Sequence, residues 1–234
     1  MKFALFSHFR DFIYPPECFT CGCLLDDGNE RVCARCWQGL EEVSPDAPAW
    51  HEIREKLKQG GVVRDVFSCY LYEKEGLVQQ LVQLLKYGGM KSLGVRLGRE
   101  IGRRMLREPL FSSADILVPV PLHRSKQRER GFNQSEFICR GISQVLGCSV
   151  LNGLVKRGKN NVSQTHLTAL ERTSNVGDAF EIPEKMRKLV DGKTFIVVDD
   201  VITTGSTIRA AARVLKEEGA ARVIAASAGL AKLH

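Results

Sequence analysis

The chain has 234 residues, 44% of them hydrophobic, and a formal net charge of +7. This length and apolar content suit one substantial folded domain with a small appended one, and no apolar run approaches the roughly 20 residues of a membrane-spanning helix. The positive charge favours polyanionic partners, and phosphorylated metabolites and nucleic acid both qualify.

The first residues form an apolar run, Met1-Lys2-Phe3-Ala4-Leu5-Phe6. His8, Arg10 and Asp11 interrupt this run too early for a secretory signal, so a cytoplasmic location is predicted. The apolar side chains are instead expected to form a short amphipathic segment that packs on the protein itself or on a partner.

Four cysteines form two pairs, Cys18-x-x-Cys21 and Cys33-x-x-Cys36, which eleven residues separate. Two thiolate pairs at this spacing can close a tetrahedron around one Zn²⁺, and such a site is structural because four protein ligands leave no open position. Cys23 lies close enough in sequence to replace one of the four ligands. A disulfide framework or a redox pair is the alternative interpretation, although no export signal precedes the cysteines.

Prolines and glycines punctuate a polar stretch from Ser44 to Gly61 and predict a domain boundary there. Residues 1–45 are therefore predicted to be the zinc-binding segment, residues 46–65 a linker, and residues 66–234 the main domain.

Gly94, Gly98 and Gly102 recur every four residues. The arginines among them exclude a lipid-embedded dimer motif, so the pattern predicts a helix that packs closely against a neighbouring helix.

The apolar run from Asp115 to Pro121 predicts a buried strand that leads directly into a basic loop. A helix is predicted to follow, because Asn133 and Glu136 have the spacing of a capping box. Cationic side chains at the carboxyl end of a strand can stabilise a departing diphosphate. A solvated charged loop or a general polyanion patch is the alternative. The candidate side chains are His123, Arg124, Lys126, Arg128 and Arg130.

The stretch from Arg157 to Phe180 is polar and lacks sustained periodicity. It is predicted to be a mobile loop that acts as a lid and excludes water from a reactive centre. An ordinary disordered connection fits the same composition.

Residues 195–198 predict a buried parallel strand, and the spacing of Ile208, Ala211, Ala212 and Leu215 predicts a helix that Ser206 or Thr207 can cap. With a further strand at residues 223–226, these elements form a βαβ unit. Ligands of such sheets bind at the carboxyl ends of the strands.

The turn between this strand and this helix has the chemistry of a sugar-phosphate site. The helix N-terminus and the hydroxyls of residues 203–207 suit a phosphate monoester, and Gly205 allows the backbone to approach closely. Asp199 and Asp200 can accept hydrogen bonds from vicinal hydroxyls or hold a hydrated Mg²⁺. A strand-turn-helix unit whose acids only cap and solvate is the alternative.

The run from Phe195 to Thr207 resembles the motif that binds phosphoribosyl pyrophosphate (PRPP) in type I phosphoribosyltransferases. The resemblance implies an α/β fold with a twisted, mainly parallel sheet flanked by helices, here preceded by a small Cys₄ zinc-binding domain. It also implies that the acids Asp199 and Asp200 hold the ribose, with Mg²⁺ accompanying PRPP. The residues implied to surround the 5-phosphate are Val201, Ile202, Thr203, Thr204, Gly205, Ser206 and Thr207.

Motifs over almost the whole chain resemble the ComF family, whose best-known members serve DNA uptake in naturally competent bacteria. The motifs are Tyr14-Pro15-Pro16-x-Cys18-x-x-Cys21, Leu85-Lys86-Tyr87-Gly88-Gly89, Val118-Pro119-Val120-Pro121-Leu122-His123, Arg128-x-Arg130-Gly131-Phe132-Asn133-Gln134, and Ser163-Gln164-Thr165 through Glu171-Arg172. Two positions depart from the family pattern, since glycine is common where His166 stands and arginine is common near Lys126.

Two functions follow from the resemblance. The first is a phosphoribosyltransferase, a glycosyltransferase of the pentosyl class, which passes the phosphoribosyl group of Mg²⁺-PRPP to an acceptor that no residue here identifies. The second is a non-catalytic PRPP or nucleotide sensor, or a zinc-dependent DNA-uptake adaptor. Its zinc segment would bind single-stranded DNA or a helicase partner, and Arg31, Arg35 and Trp37 are the first residues to test.

Overall fold

The computed structural model describes residues 16–26, 31–158 and 180–232. Five parallel strands form its main sheet in the order β1-β7-β6-β2-β3. Two further short strands, β4 and β5, pair antiparallel. The strands are β1 (Asp65–Tyr72), β2 (Ile116–Pro119), β3 (Ser149–Val150), β4 (Lys156–Arg157), β5 (Phe180–Glu181), β6 (Thr194–Ile202) and β7 (Arg222–Ala231).

Helices cover both faces of this sheet. They are α1 (Ala34–Gln38), α2 (Pro48–Lys58), α3 (Leu77–Tyr87), α4 (Lys91–Met105), α5 (Pro109–Ser112), α6 (Arg124–Arg130), α7 (Gln134–Leu146) and α8 (Ser206–Glu217), with a 3₁₀ helix at Glu184–Leu189. Apolar residues of α3, α4, α7 and the cysteine segment form one core layer, and those of α2 and α8 form the other. The predicted α/β class with a mainly parallel sheet is confirmed.

The central strand β6 is longer than predicted. It pairs with β7 from Thr194↔Arg222 to Ile202↔Leu230, so the ladder continues past the apolar run at 195–198. Asp199 lies opposite Ser227, and Asp200 lies between the paired residues Asp199 and Val201. Alternate side chains enter opposite core layers, with Phe195 and Val197 on one side and Ile196 and Val198 on the other. The acids are therefore held by a ladder of backbone hydrogen bonds rather than by a loose turn.

Helix α8 begins with Ser206, and its N-cap residue is Gly205 rather than the predicted Ser206 or Thr207. Gly205 has a φ of 73°. A Cβ added there would lie 2.5 Å from Cδ2 of Leu57 in α2. Both the left-handed backbone and the contact with α2 therefore favour glycine at this turn.

The residues predicted as a linker, 46–65, contain helix α2. Ile53 and Leu57 of this helix are fully buried in the core layer shared with α8. Arg54 makes two bonds to the carboxylate of Asp65, from Nε to Oδ1 (2.7 Å) and from Nη2 to Oδ2 (2.7 Å). This helix fixes the start of β1 to the rest of the domain.

The glycines of α4 allow the predicted close helix packing. A Cβ at Gly98 would lie 2.0 Å from the carbonyl oxygen of Ile138 and 2.9 Å from Cα of Gly141, both in α7. A Cβ added at Gly102 would likewise lie 2.8 Å from the Cβ of Val145 in α7. Helix α7, whose first turn reaches the acids of β6, is thus seated directly on α4. Within the described residues, no helix combines the length and apolar character needed to cross a membrane.

Candidate functional site

The two acids at the end of β6 face different partners. Asp200 is buried, with 5% of its surface exposed. Its Oδ1 accepts a hydrogen bond from the backbone N–H of Val201 (2.8 Å), and its Oδ2 lies 2.6 Å from Nζ of Lys86. Asp199 is partly exposed, and its Oδ1 accepts from the backbone N–H of Asp200 (2.8 Å) and from Oγ of Ser135 (3.3 Å). One acid is therefore held in an ion pair, and the other is accessible to a ligand.

The environment of Asp199 changes its acidity. Burial, together with the neighbouring negative charge of Asp200, raises the pKa of the Asp199 carboxyl to about 7. The backbone N–H of Asp200 and the Lys86 ammonium oppose this rise. Near neutral pH the carboxyl is thus a mixture of the protonated and ionised forms, and only the ionised form is a pure acceptor at both oxygens.

The predicted phosphate turn, residues 203–207, lies beside Asp199. Together with Asp199 and Val201, Ile202 and Ile208, it lines a small pocket of ≈ 40 Å³. Oγ1 of Thr204 donates to Oγ of Ser206 (3.1 Å) and accepts from the Ser206 backbone N–H (3.4 Å). The first backbone N–H groups of α8 open onto the same place, and such groups with the helix dipole favour a phosphate.

The stretch predicted as a basic loop is helix α6. His123 is its N-cap residue and accepts at Nδ1 from the backbone N–H of Ser125 (3.3 Å), and Gly131 ends the helix with a φ of 72°. The residues between them are mostly arginine, lysine, glutamine and glutamate, which have high helix propensity, and this explains the helix. His123, Arg124, Lys126 and Arg128 all have exposed side chains.

Arg130 differs from the other cations of α6, because its guanidinium is held by neighbours. Its Nη1 donates to Oε1 of Gln134 (3.1 Å), and its Nη2 donates to the hydroxyl of Tyr87 (3.3 Å). The guanidinium also lies over the Tyr87 ring, 5.0 Å from its centroid. Arg130 therefore connects α6 to the end of α3, and the exposed cations before it are those open to an anion.

The basic helix and the carboxylate pair lie at the same edge of the sheet. Strands β2 and β6 are parallel neighbours, with Pro119 opposite Val198, so the segments after both strands open at the carboxyl edge. Asn133 fastens this arrangement, since its Nδ2 donates to the Val120 carbonyl (2.9 Å) and its Oδ1 accepts from the Ser135 backbone N–H (3.0 Å). The structure thus brings the separately predicted stretches to one edge.

The sequence pattern alone left Lys86 and Ser135 without a role, although both contact the acid pair. Lys86 belongs to one of the motifs that carry the ComF resemblance, and Ser135 immediately follows another. Family resemblance was therefore the available signal. Periodicity could not reveal these contacts, because they join residues from different helices to one strand.

Most of the predicted lid, residues 159–179, lies outside the described residues. The chain on either side of it pairs as β4 and β5. Nε of Arg157 donates to the Pro121 carbonyl (3.1 Å), and its guanidinium lies 5.1 Å from the centroid of the Phe180 ring. Both ends of the segment are thus anchored beside the start of α6.

The four predicted zinc ligands converge. All four sulfur atoms of Cys18, Cys21, Cys33 and Cys36 lie within 4.8 Å of one another, with 3.9 Å between Cys18 and Cys36 and 3.7 Å between Cys21 and Cys33. Tetrahedral zinc with Zn–S bonds of about 2.3 Å requires sulfur separations of about 3.8 Å. Cys23 is exposed and is not part of this cluster. The donor set therefore fits one structural Zn²⁺.

The N-terminal segment packs directly against the main domain. Cys18, Val32, Cys36 and Leu40 are buried in the same core layer as α3, α4 and α7. The guanidinium of Arg96 in α4 lies 4.2 Å from the centroid of the Trp37 ring. This contact places Trp37 between the cysteine cluster and α4.

Comparison with known proteins finds one domain match in each part of the chain. Residues 135–229 match the phosphoribosyl transferase domain, and residues 9–49 match the double zinc ribbon domain. DNA utilization protein YhgH of Salmonella typhimurium is 34% identical over 148 residues, which cover 61% of this chain and 63% of that protein, less than two thirds of its length.

Two further matches extend the comparison. Competence protein ComFC of Bacillus subtilis is 24% identical over 215 residues, covering 90% of this chain and 83% of that protein. A solved structure is also similar: glutamine PRPP amidotransferase from B. subtilis, complexed with ADP and GMP. The alignment covers 57% of this chain and 26% of the amidotransferase chain, at 22% sequence identity and a TM-score of 0.37. As the sequence resemblance predicted, the chain is thus similar to YhgH and ComFC, and it carries a double zinc ribbon match before a phosphoribosyl transferase domain match.

Proposed function

We propose that the protein binds PRPP with Mg²⁺ at the carboxyl edge of β2 and β6 and transfers its phosphoribosyl group to an acceptor, releasing pyrophosphate. The observation that carries this proposal is the parallel pairing of β2 with β6. It sets the exposed cations of α6 and the pocket of Asp199 and residues 203–207 at one edge. PRPP carries a phosphate, a diol and a diphosphate, and each has a chemical counterpart there.

Each part of the site has a distinct task in this reaction. The N-terminus of α8 and the hydroxyls of residues 203–207 bind the 5-phosphate, and the acid pair orients the ribose. The exposed side chains of His123, Arg124, Lys126 and Arg128 stabilise the charge that grows as the bond from C1 to pyrophosphate breaks. Mg²⁺ that entered with PRPP would offset part of the same charge. The sugar then becomes oxocarbenium-like, and a nucleophile of the acceptor attacks it.

Calorimetric titration of the zinc-loaded protein with PRPP tests this proposal. Binding is expected in the presence of Mg²⁺ and is expected to weaken at least about tenfold when Mg²⁺ is left out of the buffer, because the metal offsets diphosphate charge. Ribose 5-phosphate, which lacks the diphosphate, is the matched ligand control and should bind more weakly. An absence of PRPP binding to the zinc-loaded protein would contradict the proposal. If PRPP binds, a screen of acceptors for pyrophosphate release would identify the reaction.

The names of the relatives, a DNA utilization protein and a competence protein, support DNA uptake during natural transformation as the biological setting. A second candidate function is an adaptor whose zinc ribbon binds single-stranded DNA or a helicase partner. One observation favours it: the Arg31 guanidinium lies 5.9 Å from the centroid of the Phe19 ring, and both residues are exposed. An exposed aromatic ring beside a cation is a stacking platform for bases.

Binding of a fluorescent single-stranded oligonucleotide tests the adaptor function. Affinity is expected to fall steeply with salt, to survive Asp199→Asn with Asp200→Asn, and to weaken when Cys33 and Cys36 are replaced. Arg31→Gln should weaken binding about threefold or more, whereas Arg213→Gln, which removes an exposed charge on α8, should have less effect. Equal DNA binding with and without zinc would exclude the ribbon as the DNA site.

A further inference from the structure

We propose that the outer edge of β1 is a docking site for a partner protein, which adds an extended, acidic peptide segment to the main sheet as a sixth strand. The site is a groove of ≈ 380 Å³ beside residues 65–69. None of the residues that line it belongs to the pocket at residues 203–207 or to the basic helix α6. The inference is therefore independent of the proposed PRPP site.

Strand β1 lies at one end of the sheet, so its second edge faces away from β7. The chain itself covers the carboxyl-terminal half of this edge. The Val43 N–H donates to the Cys69 carbonyl (3.0 Å), and the Leu71 N–H donates to the Glu41 carbonyl (2.8 Å), in an antiparallel arrangement. In the described part of the chain, no strand pairs with this edge at residues 65–68. The groove lies along that uncovered half.

The backbone leaves the edge of β1 directly after Val43. Pro45 has no N–H to donate to a neighbouring strand. A turn follows, in which the Ala47 N–H donates to the Ser44 carbonyl (3.0 Å), and α2 begins after it. The groove therefore occupies the position that a strand would take if it continued from residues 41–43.

Helices on both faces of the sheet supply the walls of the groove. Trp50 and Arg54 of α2 line it from one core layer. Phe111 of α5 lines it from the other layer, where its ring packs edge-to-face on Phe67, with 5.1 Å between the centroids. Strands inside a parallel sheet are covered on both faces in this way. The shape of the groove thus favours an extended peptide as its occupant.

Most charged side chains of the groove already have partners. Arg54 makes two hydrogen bonds to Asp65, and these bonds, with the charge of Glu108, raise the pKa of the Arg54 guanidinium. Arg104 donates to the carboxylate of Glu42 (2.7 Å). These contacts hold the walls in place.

Arg107 differs from these residues. It follows α4, lines the groove and is exposed, so a carboxylate of an incoming segment can reach its guanidinium. Apolar side chains of the segment would pack against Trp50 and Phe111 while its backbone pairs with β1. The partner segment is therefore an extended strand with alternating apolar side chains and one acidic side chain.

Selection from a library of peptides of about eight residues on the zinc-loaded protein tests the proposal. Enriched peptides are expected to alternate β-branched or aromatic residues with polar ones and to carry an acidic residue. The tightest peptide would then be N-methylated at one amide at a time. Because only every second amide of an added strand faces β1, methylation should weaken binding about tenfold at alternate positions and little at the positions between them.

Protein variants and hydrogen exchange locate the binding. Arg107→Gln should weaken the selected peptide about threefold, because it removes a partly exposed ion pair. Arg103→Gln is the matched control, since it removes an exposed arginine of α4 that does not line the groove, and it should bind like the wild type. Bound peptide should slow hydrogen exchange at residues 65–69.

Three outcomes would overturn the inference. Without enriched peptides, or without alternation under N-methylation, this edge would not be a site of strand addition. Slower exchange elsewhere than at residues 65–69 would place the peptide on another surface. Sedimentation might also reveal a dimer of the wild-type protein that the peptide dissociates, and the occupant would then be a second copy of this chain rather than a different partner.

Discussion

Replacing Cys36 with serine is expected to release the zinc ion and to lower the melting temperature of the whole protein by about 10 °C. Cys36 is buried, and its sulfur lies 3.9 Å from that of Cys18. Without the fourth thiolate, the ribbon has too small an apolar core of its own to stay folded. Structural zinc in small domains supplies roughly 10 to 16 kcal/mol of apparent binding energy.

The effect should extend beyond the ribbon because the ribbon covers part of the main core. Val32 and Leu40 belong to the same apolar layer as α3 and α4, and Trp37 lies against Arg96. Unfolding of the ribbon would expose this surface to water. A loss of about 3 to 4 kcal/mol corresponds to about 10 °C in a domain of this size.

Zinc content by elemental analysis and thermal unfolding by circular dichroism would measure both effects. Cys23→Ser is the matched control, since it removes an exposed thiol beside the cluster. This control should keep one zinc per chain and the wild-type melting temperature. If Cys23→Ser released zinc as completely as Cys36→Ser does, Cys23 would be a ligand and the assigned set of four would be wrong.

The parts of the fold that could be predicted from the sequence were those marked by a continuous apolar run or by regular glycine spacing. The strands around Ile196 and Val118 were evident because buried parallel strands are continuous apolar runs. The glycine spacing in α4 correctly predicted close helix packing. Helix α2 was hidden by the proline and glycine residues near it, although Pro48 stands at its first position, where proline is well tolerated.

The candidate site divides in the same way. Its contiguous part, from Asp199 to Thr207, is readable because one strand and one helix supply phosphate and diol chemistry within a short stretch. Its other contacts join distant residues, such as Lys86 with Asp200 and Ser135 with Asp199. Those contacts depend on how α3 and α7 pack on the sheet. Local sequence carries no information about that packing, so a lysine that pairs with a buried acid at the end of an amphipathic helix cannot be told from a solvent-exposed lysine at the same place.

The largest effect on ligand binding is expected from neutralising both acids. Asp199→Asn with Asp200→Asn should weaken Mg²⁺-PRPP binding by about 100-fold or more, since hydrogen bonds to ionised groups contribute about 1.5 to 3 kcal/mol each. The change also removes the partner of Lys86, whose ammonium would be left half-buried and unpaired. Isothermal calorimetry would measure the affinity. Asp26→Asn with Asp46→Asn removes two exposed carboxylates elsewhere and should leave the affinity near that of the wild type.

The pH dependence of binding gives a second measure of the same carboxylate. Because the pKa of Asp199 is raised to about 7, the carboxyl is mostly protonated at pH 6 and mostly ionised at pH 8. A ligand hydroxyl donates only to the ionised form with full strength, so a proton must leave on binding at low pH. Affinity should therefore be about tenfold higher at pH 8 than at pH 6, beyond any change due to the phosphates of PRPP. The Asp199→Asn variant has no carboxyl proton to lose. The pH dependence of its PRPP affinity should therefore reflect only the titration of the PRPP phosphates. An identical pH profile for both proteins would show that Asp199 does not meet the ligand in its ionised form.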